Sequence, residues 1–355
     1  MAGRSLDEFR ERHDALTIAS REAAQLQRRV DELEARIRND GMLASLYSAL
    51  QASPREPPKW LTTPPKKGKK APVIATTFLS DWHFDEVVTG AEINGVNVYS
   101  REIAEQRLRR CFEKTILLSD RYLNFDIQGI SVPLGGDMVS GNIHEELAQT
   151  NEAYILETCL HWADRIEAGL RMLAEHFPRV HVPCVVGNHG RMSRKPRAKG
   201  RTQDNFDWLI YKLLERSAIK GVTFQIGVDA DVRWTTYQLR NQMTHGDQFT
   251  GGSGWGGLAS PIMRGDAKKR EREAATRTPY DLLMMGHWHQ LKDFGQVIIN
   301  GSGKGYDEYA YLMNLPYEVP QQAFWLTDPT HGRVLSCPIF VADDESYADP
   351  VEVAA

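Results

Sequence analysis

Hydrophobic and polar positions divide the chain into distinct regimes. Between residues 16 and 37, apolar side chains at Leu16, Ala19, Ala23, Leu26, Val30, Leu33 and Ile37 alternate spacings of three and four. That is the a/d seam of a coiled coil, with Arg29, Glu34 and Arg36 beside it. The same pattern fits a single amphipathic helix lying on a folded body, so residues 1–40 read as helix with either use open. Residues 41–72 form a linker in which Pro54, Pro57, Pro58, Pro64 and Pro65 give way to Lys66, Lys67, Lys69 and Lys70. This composition predicts an extended, solvated tether.

From Val73 the pattern changes to that of a folded domain, expected over 73–341. Strand-like runs at Val73–Ser80, Ile127–Leu134 and Val180–Val186 alternate with helical periodicity at Ile103–Leu118, Glu146–Phe177 and Phe206–Glu215. The second half is richer in strands, at Val222–Ile226, Val232–Leu239, Gln242–His245, Leu282–Met285, Val297–Ile299, Ala323–Thr327 and Val334–Phe340. One basic helical segment, about Pro261–Ala275, interrupts them, and the acidic end 342–355 reads as a loose tail. Strands alternating with helices predict an α/β fold.

Composition adds limits. With 355 residues, 41% hydrophobic and 25% charged, the chain has enough apolar material for a core. A net charge of −4 means that any attraction to nucleic acid must come from local patches. Cys111, Cys159, Cys184 and Cys337 form no CxxC pair, and three lie in apolar stretches, which predicts a reduced, cytoplasmic protein. The polar N-terminus has no apolar signal core and no run reaches membrane-spanning length, so no membrane partner is expected.

Five short clusters carry the candidate chemistry: Asp81-Trp82-His83, Gly136-Asp137, Gly187-Asn188-His189, His245-Gly246-Asp247 and Gly286-His287-Trp288-His289. Each falls at or just past the end of a predicted strand, where ligand groups converge in open α/β sheets. Strand alternation would turn the outer residues of Asp-x-His and His-x-His the same way. Carboxylate and amide oxygens mixed with imidazole suit Mn, Fe, Zn or Mg. Asp247 reads as a group behind an imidazole or as a loop acid.

In this order the clusters resemble the calcineurin-like metallophosphoesterase superfamily, over roughly residues 73–305. The likeness extends to its phage-type and repair-nuclease-like members. It implies a four-layer α-β-β-α sandwich holding two divalent metal ions, manganese first among the candidates. Asp81, His83 and His289 would hold one, Asn188, His245 and His287 the other, with Asp137 bridging both. Two such cations lower the pKa of a shared water and clamp an in-line displacement at phosphorus. His189 would then stand beside the leaving group as general acid or as a stabiliser of charge. Two positions depart from the pattern. Gly190 and Arg191 stand where many relatives carry an acidic residue, and Ser140 where repair nucleases place a His. His144, four residues on, is a candidate for that space, and the group that orients His189 is open.

A dense basic loop, with Arg191, Arg194, Lys195, Arg197, Lys199 and Arg201, follows directly, and a second basic run spans Arg264 to Arg277. The first suggests contact with phosphates flanking the scissile one; the plain reading of both is a solvated surface. Asn94-Gly95 in the insertion 84–100 signals a hairpin, and Trp255 in the Gly-rich stretch 251–257 suits either base stacking or a core contact. Two functions are therefore expected in competition. One is a phosphodiesterase or nuclease on DNA or RNA, with a monoesterase as its nearest rival. The other is a coiled-coil scaffold with a vestigial metal domain, and in either case the coiled coil is a route to homo-oligomers.

Overall fold

The computed structural model describes residues 56–64, 71–122, 125–251 and 257–342. The expected coiled coil, Trp255 and the tail beyond Ala342 lie outside the described residues.

Eleven strands form two sheets among the described residues. The first contains β1 (Pro72–Phe78), β2 (Asp126–Ser131), β3 (Val180–Cys184), β4 (Val222–Ile226), β10 (Gln321–Asp328) and β11 (Gly332–Phe340), in the order β11-β10-β1-β2-β3-β4. Strands β1 to β4 are parallel, while β10 and β11 join antiparallel at one edge. The second sheet contains β5 (Asp231–Thr236), β6 (Leu239–Thr244), β7 (Leu282–Met285), β8 (Lys292–Asp293) and β9 (Val297–Ile299), in the order β5-β6-β7-β9-β8. Within it β6, β7 and β9 are parallel.

Alternation along the strands sets the layers. Ile74, Phe78 and Trp325 of the first sheet meet Trp234, Met243, Leu282 and Met284 of the second in one buried cluster. The opposite face of β1 meets helix: Thr77 Oγ1 lies 3.1 Å from Oγ1 of Thr115. Thr115 belongs to α2 (Arg101–Leu117), which packs with α4 (Ile155–His176), which in turn packs with α5 (Phe206–Arg216). On the second sheet, Leu283 and Met285 face outward onto Ile262 of α6 (Ala259–Ala275). Every residue of β7 is apolar because both of its faces are covered. The layers are thus helices, sheet, sheet, helix, as expected.

Several local expectations need correction. The linker is not solvated throughout. Residues Lys59–Thr62 form a short helix, α1, whose Leu61 is fully buried in the cluster between the sheets. Its carbonyl accepts the N–H of Tyr237 at 2.7 Å. The single helix expected over 146–177 is two, α3 (Glu145–Thr150) and α4. Between them Asn151 is extended, its amide donating to the Gly141 carbonyl at 2.9 Å, while the N–H of Glu152 donates to the Asp85 carbonyl at 2.9 Å. Tertiary hydrogen bonds override the local helical pattern there. In the insertion, Asn94 and Gly95 do turn with φ of 58° and 75°, but a 3-10 turn at Gly90–Ile93 replaces the first arm of the expected hairpin. Only the Val88–Tyr99 bridge is ladder-like. No helix of the described residues is long and apolar enough to cross a membrane.

Candidate metal centre

Five loops meet at one rim of the sandwich, each leaving the C-terminal end of a parallel strand. Asp81 follows β1, Asp137 follows β2 and Asn188 follows β3 in the first sheet. His245 follows β6, and His287 and His289 follow β7, in the second. The expectation that strand alternation aligns these side chains is not met. The chain has already turned: φ is 56° at Asp81, 45° at His83, 50° at Asp137, 71° at His287 and 54° at His289. Left-handed backbone at non-glycine residues costs on the order of 1–3 kcal/mol each and persists only where the surroundings impose it. Here the N–H groups of Asp81 and His83 donate to the carbonyls of Gly136 and Asp137, both at 3.1 Å, and Ser302 Oγ donates to the Asp81 carbonyl at 2.8 Å.

The ligand atoms fall into two joined sets. Those of Asp81, His83 and His289 lie within 4.8 Å of one another, as do those of Asp137, His245 and His287. A third grouping of His83, Asp137 and His189 overlaps both. Asp137 stands between the sets, with Oδ2 3.0 Å from His245 Nε2 and 3.9 Å from His83 Nε2. The Asn188 amide oxygen joins the second set, 3.1 Å from His245 Nε2.

These groups fit metal ions, and the lone pairs say why. Nδ1 of His245 lies 2.8 Å from the Gly135 carbonyl, which can only accept, so Nδ1 carries a proton. In a neutral ring Nε2 then presents a lone pair, aimed at two oxygens that are acceptors as well. In the first set the Nε2 atoms of His83 and His289 face each other at 3.1 Å. A cation satisfies such converging acceptors. Without one, burial opposes a charged His245 ring, yet the charge of Asp137 raises it to about 10, so that a proton takes the cation's part. Burial and neighbouring charge favour the ligand form of His83, His287 and Asp137. Burial holds His83 neutral, down to about 4 with help from Lys304, and His287 down to about 4 with help from His245. Burial works to raise Asp137, but the neighbouring His245 and His189 hold it well below the ordinary carboxylate range. Metal ligands must be deprotonated, and these shifts favour that form.

The partner of His189, left open by the sequence, is a backbone group. Its Nδ1 lies 2.9 Å from the carbonyl oxygen of Ser140, and its N–H donates to Asp137 Oδ1 at 2.7 Å. His144, exposed at the start of α3, brings its ring to 5.7 Å from that of His189 without a hydrogen bond between them. Gly190 also has a physical reason. A Cβ there would stand 2.3 Å from Asn205 Oδ1, so the acidic residue of many relatives has no room.

Two buried carboxylates escaped the sequence reading. Asp207, in the first turn of α5, accepts from the backbone N–H groups of Asp137, Met138 and Gly187 at 2.9, 3.1 and 2.8 Å. Burial and the charge of Asp137 push it up to about 6, against the pull of those donors. Glu86 stands 3.3 Å from His83 Nδ1, too poorly aligned for a hydrogen bond, and pairs with buried Lys304 at 2.7 Å. The signal for Asp207 was its place two residues after Asn205, the N-cap of α5, whose side chain accepts the Asp207 N–H.

The basic loop divides into two kinds of side chain. The Arg191 guanidinium is spent on the loop itself, donating to the carbonyls of Asn188, Ser193 and Arg194 at 2.9, 3.0 and 3.1 Å. Arg201 makes a two-bond pair with Asp247 at 2.7 and 2.8 Å, so Asp247 braces this loop rather than an imidazole. Arg197 lies 3.5 Å from Asp204. Arg194, Lys195 and Lys199 are exposed. A cleft of about 20 Å³ opens beside Asn188, edged by Arg191, Arg197 and Arg201. In the second basic run, Lys269 and Arg272 pair with Asp231 and Arg270 with Asp266, which makes much of it structural.

No family model and no curated protein matches this sequence. Among solved structures, the chain is similar to a Vps29 variant from Entamoeba histolytica, at 14% identity and a TM-score of 0.29, covering 74% of this chain and 97% of that one. It is also similar to a predicted phosphoesterase from Streptococcus pneumoniae, at 12% identity and a TM-score of 0.29, covering 77% and 98%. A dimetal phosphatase from Danio rerio matches at 10% identity and a TM-score of 0.35, covering 76% and 100%. With overlap this slight, the ligand geometry is what defines the chemistry.

Proposed function

We propose that this chain is a dinuclear metal-dependent phosphoesterase that cleaves phosphodiester bonds in nucleic acid. The observation that carries the reading is the convergence at His245, whose Nε2 stands 3.0 Å from a carboxylate oxygen of Asp137 and 3.1 Å from the amide oxygen of Asn188. Two bound divalent cations supply an activated water and charge neutralisation at phosphorus. Asp81, His83 and His289 would hold one of them and Asn188, His245 and His287 the other, with Asp137 shared. His189, fixed through Nδ1 by the Ser140 carbonyl, keeps Nε2 for the substrate and stabilises or protonates the leaving oxygen. Polyanion binding is supported by Arg194, Lys195 and Lys199, exposed on the loop that begins two residues after His189. A monoesterase is the runner-up from the sequence, and the assay separates the two.

Purified full-length protein with Mn²⁺ is expected to hydrolyse bis-p-nitrophenyl phosphate and to nick or degrade DNA or RNA. Asp137→Ala is expected to abolish both. Hydrolysis of p-nitrophenyl phosphate alone would exclude the diesterase. Metal uptake with no turnover on any phosphoester would exclude the enzyme.

A further inference from the structure

Asp207 lies behind the metal loops, with no exposed surface and no ligand atom in either set. Its carboxylate is met by main-chain donors. Oδ2 accepts from Asp137 N at 2.9 Å and from Gly187 N at 2.8 Å, while Oδ1 accepts from Met138 N at 3.1 Å and, more weakly, from Val139 N at 3.4 Å. Three of those N–H groups are consecutive. The left-handed turn at Asp137, φ 50°, curls them into a concave nest, a backbone shape that binds anions. The fourth comes from the next loop, one residue before Asn188. Neither loop could be moved without breaking these bonds, and the space is closed: a Cβ on Gly187 would stand 2.1 Å from Asp137 Oδ1.

We propose that Asp207 is a positioning residue for the metal centre. Its carboxylate ties the loop of the shared ligand Asp137 to the loop of Asn188 and His189, fixing their separation at the spacing the second cation needs. Asn205 is the brace behind it, accepting the Asp207 N–H at 2.8 Å and donating from its amide to the Gly187 carbonyl at 2.9 Å. An amide at 207 turns an NH₂ group toward one of the N–H donors, so at least one tie becomes a donor–donor contact. Groups that orient ligands from behind change metal affinity by roughly 10–100-fold when removed.

This inference rests on the metal-centre reading, and its test is made without substrate. Mn²⁺ is titrated calorimetrically into the full-length apo protein, wild type and Asp207→Asn, and thermal unfolding of both apo forms is followed by circular dichroism. Asp207→Asn is expected to fold cooperatively, to bind the weaker cation roughly 10–100-fold less tightly, and to regain turnover of bis-p-nitrophenyl phosphate as Mn²⁺ is raised. Asp204→Asn, an acid three residues earlier, is expected to match wild type. A folded Asp207→Asn with wild-type Mn²⁺ affinity overturns the proposal. Should that variant fail to fold, Asn205→Ala decides, since it loosens the carboxylate without removing it. Several-fold weaker Mn²⁺ binding supports the tie, and unchanged affinity refutes it. A wild type that binds two Mn²⁺ ions but cleaves no phosphoester ends the functional reading and leaves this inference standing.

Discussion

Nδ1 of His189 lies 2.9 Å from the carbonyl oxygen of Ser140, and the Ser140 side chain plays no part in that contact. The hydroxyl instead reaches Glu86 at 3.3 Å. Ser140→Ala is therefore expected to keep kcat within about threefold of wild type, since one neutral hydrogen bond is worth only ~1 kcal/mol. His189→Gln is expected to lower kcat by roughly 10²–10⁴ while two Mn²⁺ ions still bind. Steady-state kinetics with metal analysis checks both. A Ser140→Ala defect as deep as that of His189→Gln would show that the hydroxyl, not the main chain, orients the ring.

Metal binding should report itself as stability. Ligands that bind only the folded state add RT ln(1 + [L]/Kd), about 2.7 kcal/mol at a hundredfold excess over Kd. Adding Mn²⁺ to chelator-treated protein is expected to raise the Tm of the wild type. Asp137→Asn, which removes the charge shared by both sets, should lose most of that rise. Equal shifts in the two proteins would place the metals elsewhere.

Arg194, Lys195 and Lys199 are exposed, whereas Arg191 holds three carbonyls. Changing the first three to Ala is expected to weaken DNA cleavage and to flatten its salt dependence, by roughly 0.7–0.9 in log–log slope for each phosphate no longer neutralised. Turnover of bis-p-nitrophenyl phosphate should be unaffected. Arg191→Ala should impair both substrates, because the loop that starts at Asn188, a proposed metal ligand, loses its internal ties. If the triple variant lowers both activities alike, the loop is structural.

His181 on β3 is buried, with Nε2 3.1 Å from Gln225 and its ring edge-on to Trp234. Burial pushes it down to about 4 from an ordinary 6.5. The unfolded chain therefore takes up this proton first as pH falls. The stability the neutral ring contributes is complete above pH 6.5 and is lost between 6.5 and 4, at a slope approaching ~1.4 kcal/mol per pH unit. Denaturant unfolding of wild type and His181→Gln across this range is expected to show the difference shrinking only below pH 6.5. A constant difference would contradict the buried, neutral ring.

Leu61 lies in the core between the sheets although it precedes β1 by eleven residues. Leu61→Ala is expected to destabilise the protein by about 2–5 kcal/mol, as large-to-small core changes do. A chain trimmed to begin at Pro72 should be weakened at least as much. Chemical denaturation measures both, and a trimmed protein of wild-type stability would return residues 56–64 to the status of a tether.

The reach of the sequence follows from what each pattern encodes. β7 and Asp81-x-His83 were legible because burial on both faces and ligand chemistry each leave a local mark. The left-handed turns at Asp81 and His83 were not, since the chemistry demands Asp and His there whatever the backbone does. The one mark of Asp207, its place two residues after the N-cap Asn205, is shared by acids in the first turn of many helices, because its role is set by loops 20 and 70 residues away. The Ser140 carbonyl is invisible in principle, as every residue has one. Leu61 was hidden by the prolines around it, which speak for an extended chain but say nothing of what that chain packs against.

Asp81, Asp137 and Asn188 hang from one sheet, while His245, His287 and His289 hang from the other. With cations bound as proposed, the two layers could not part at this rim without tearing a ligand from its ion. Cations bound there would act as rivets that turn fraying into an all-or-none event. Amide protons at the ends of β1 and β7 would then exchange together, at one rate set by metal release.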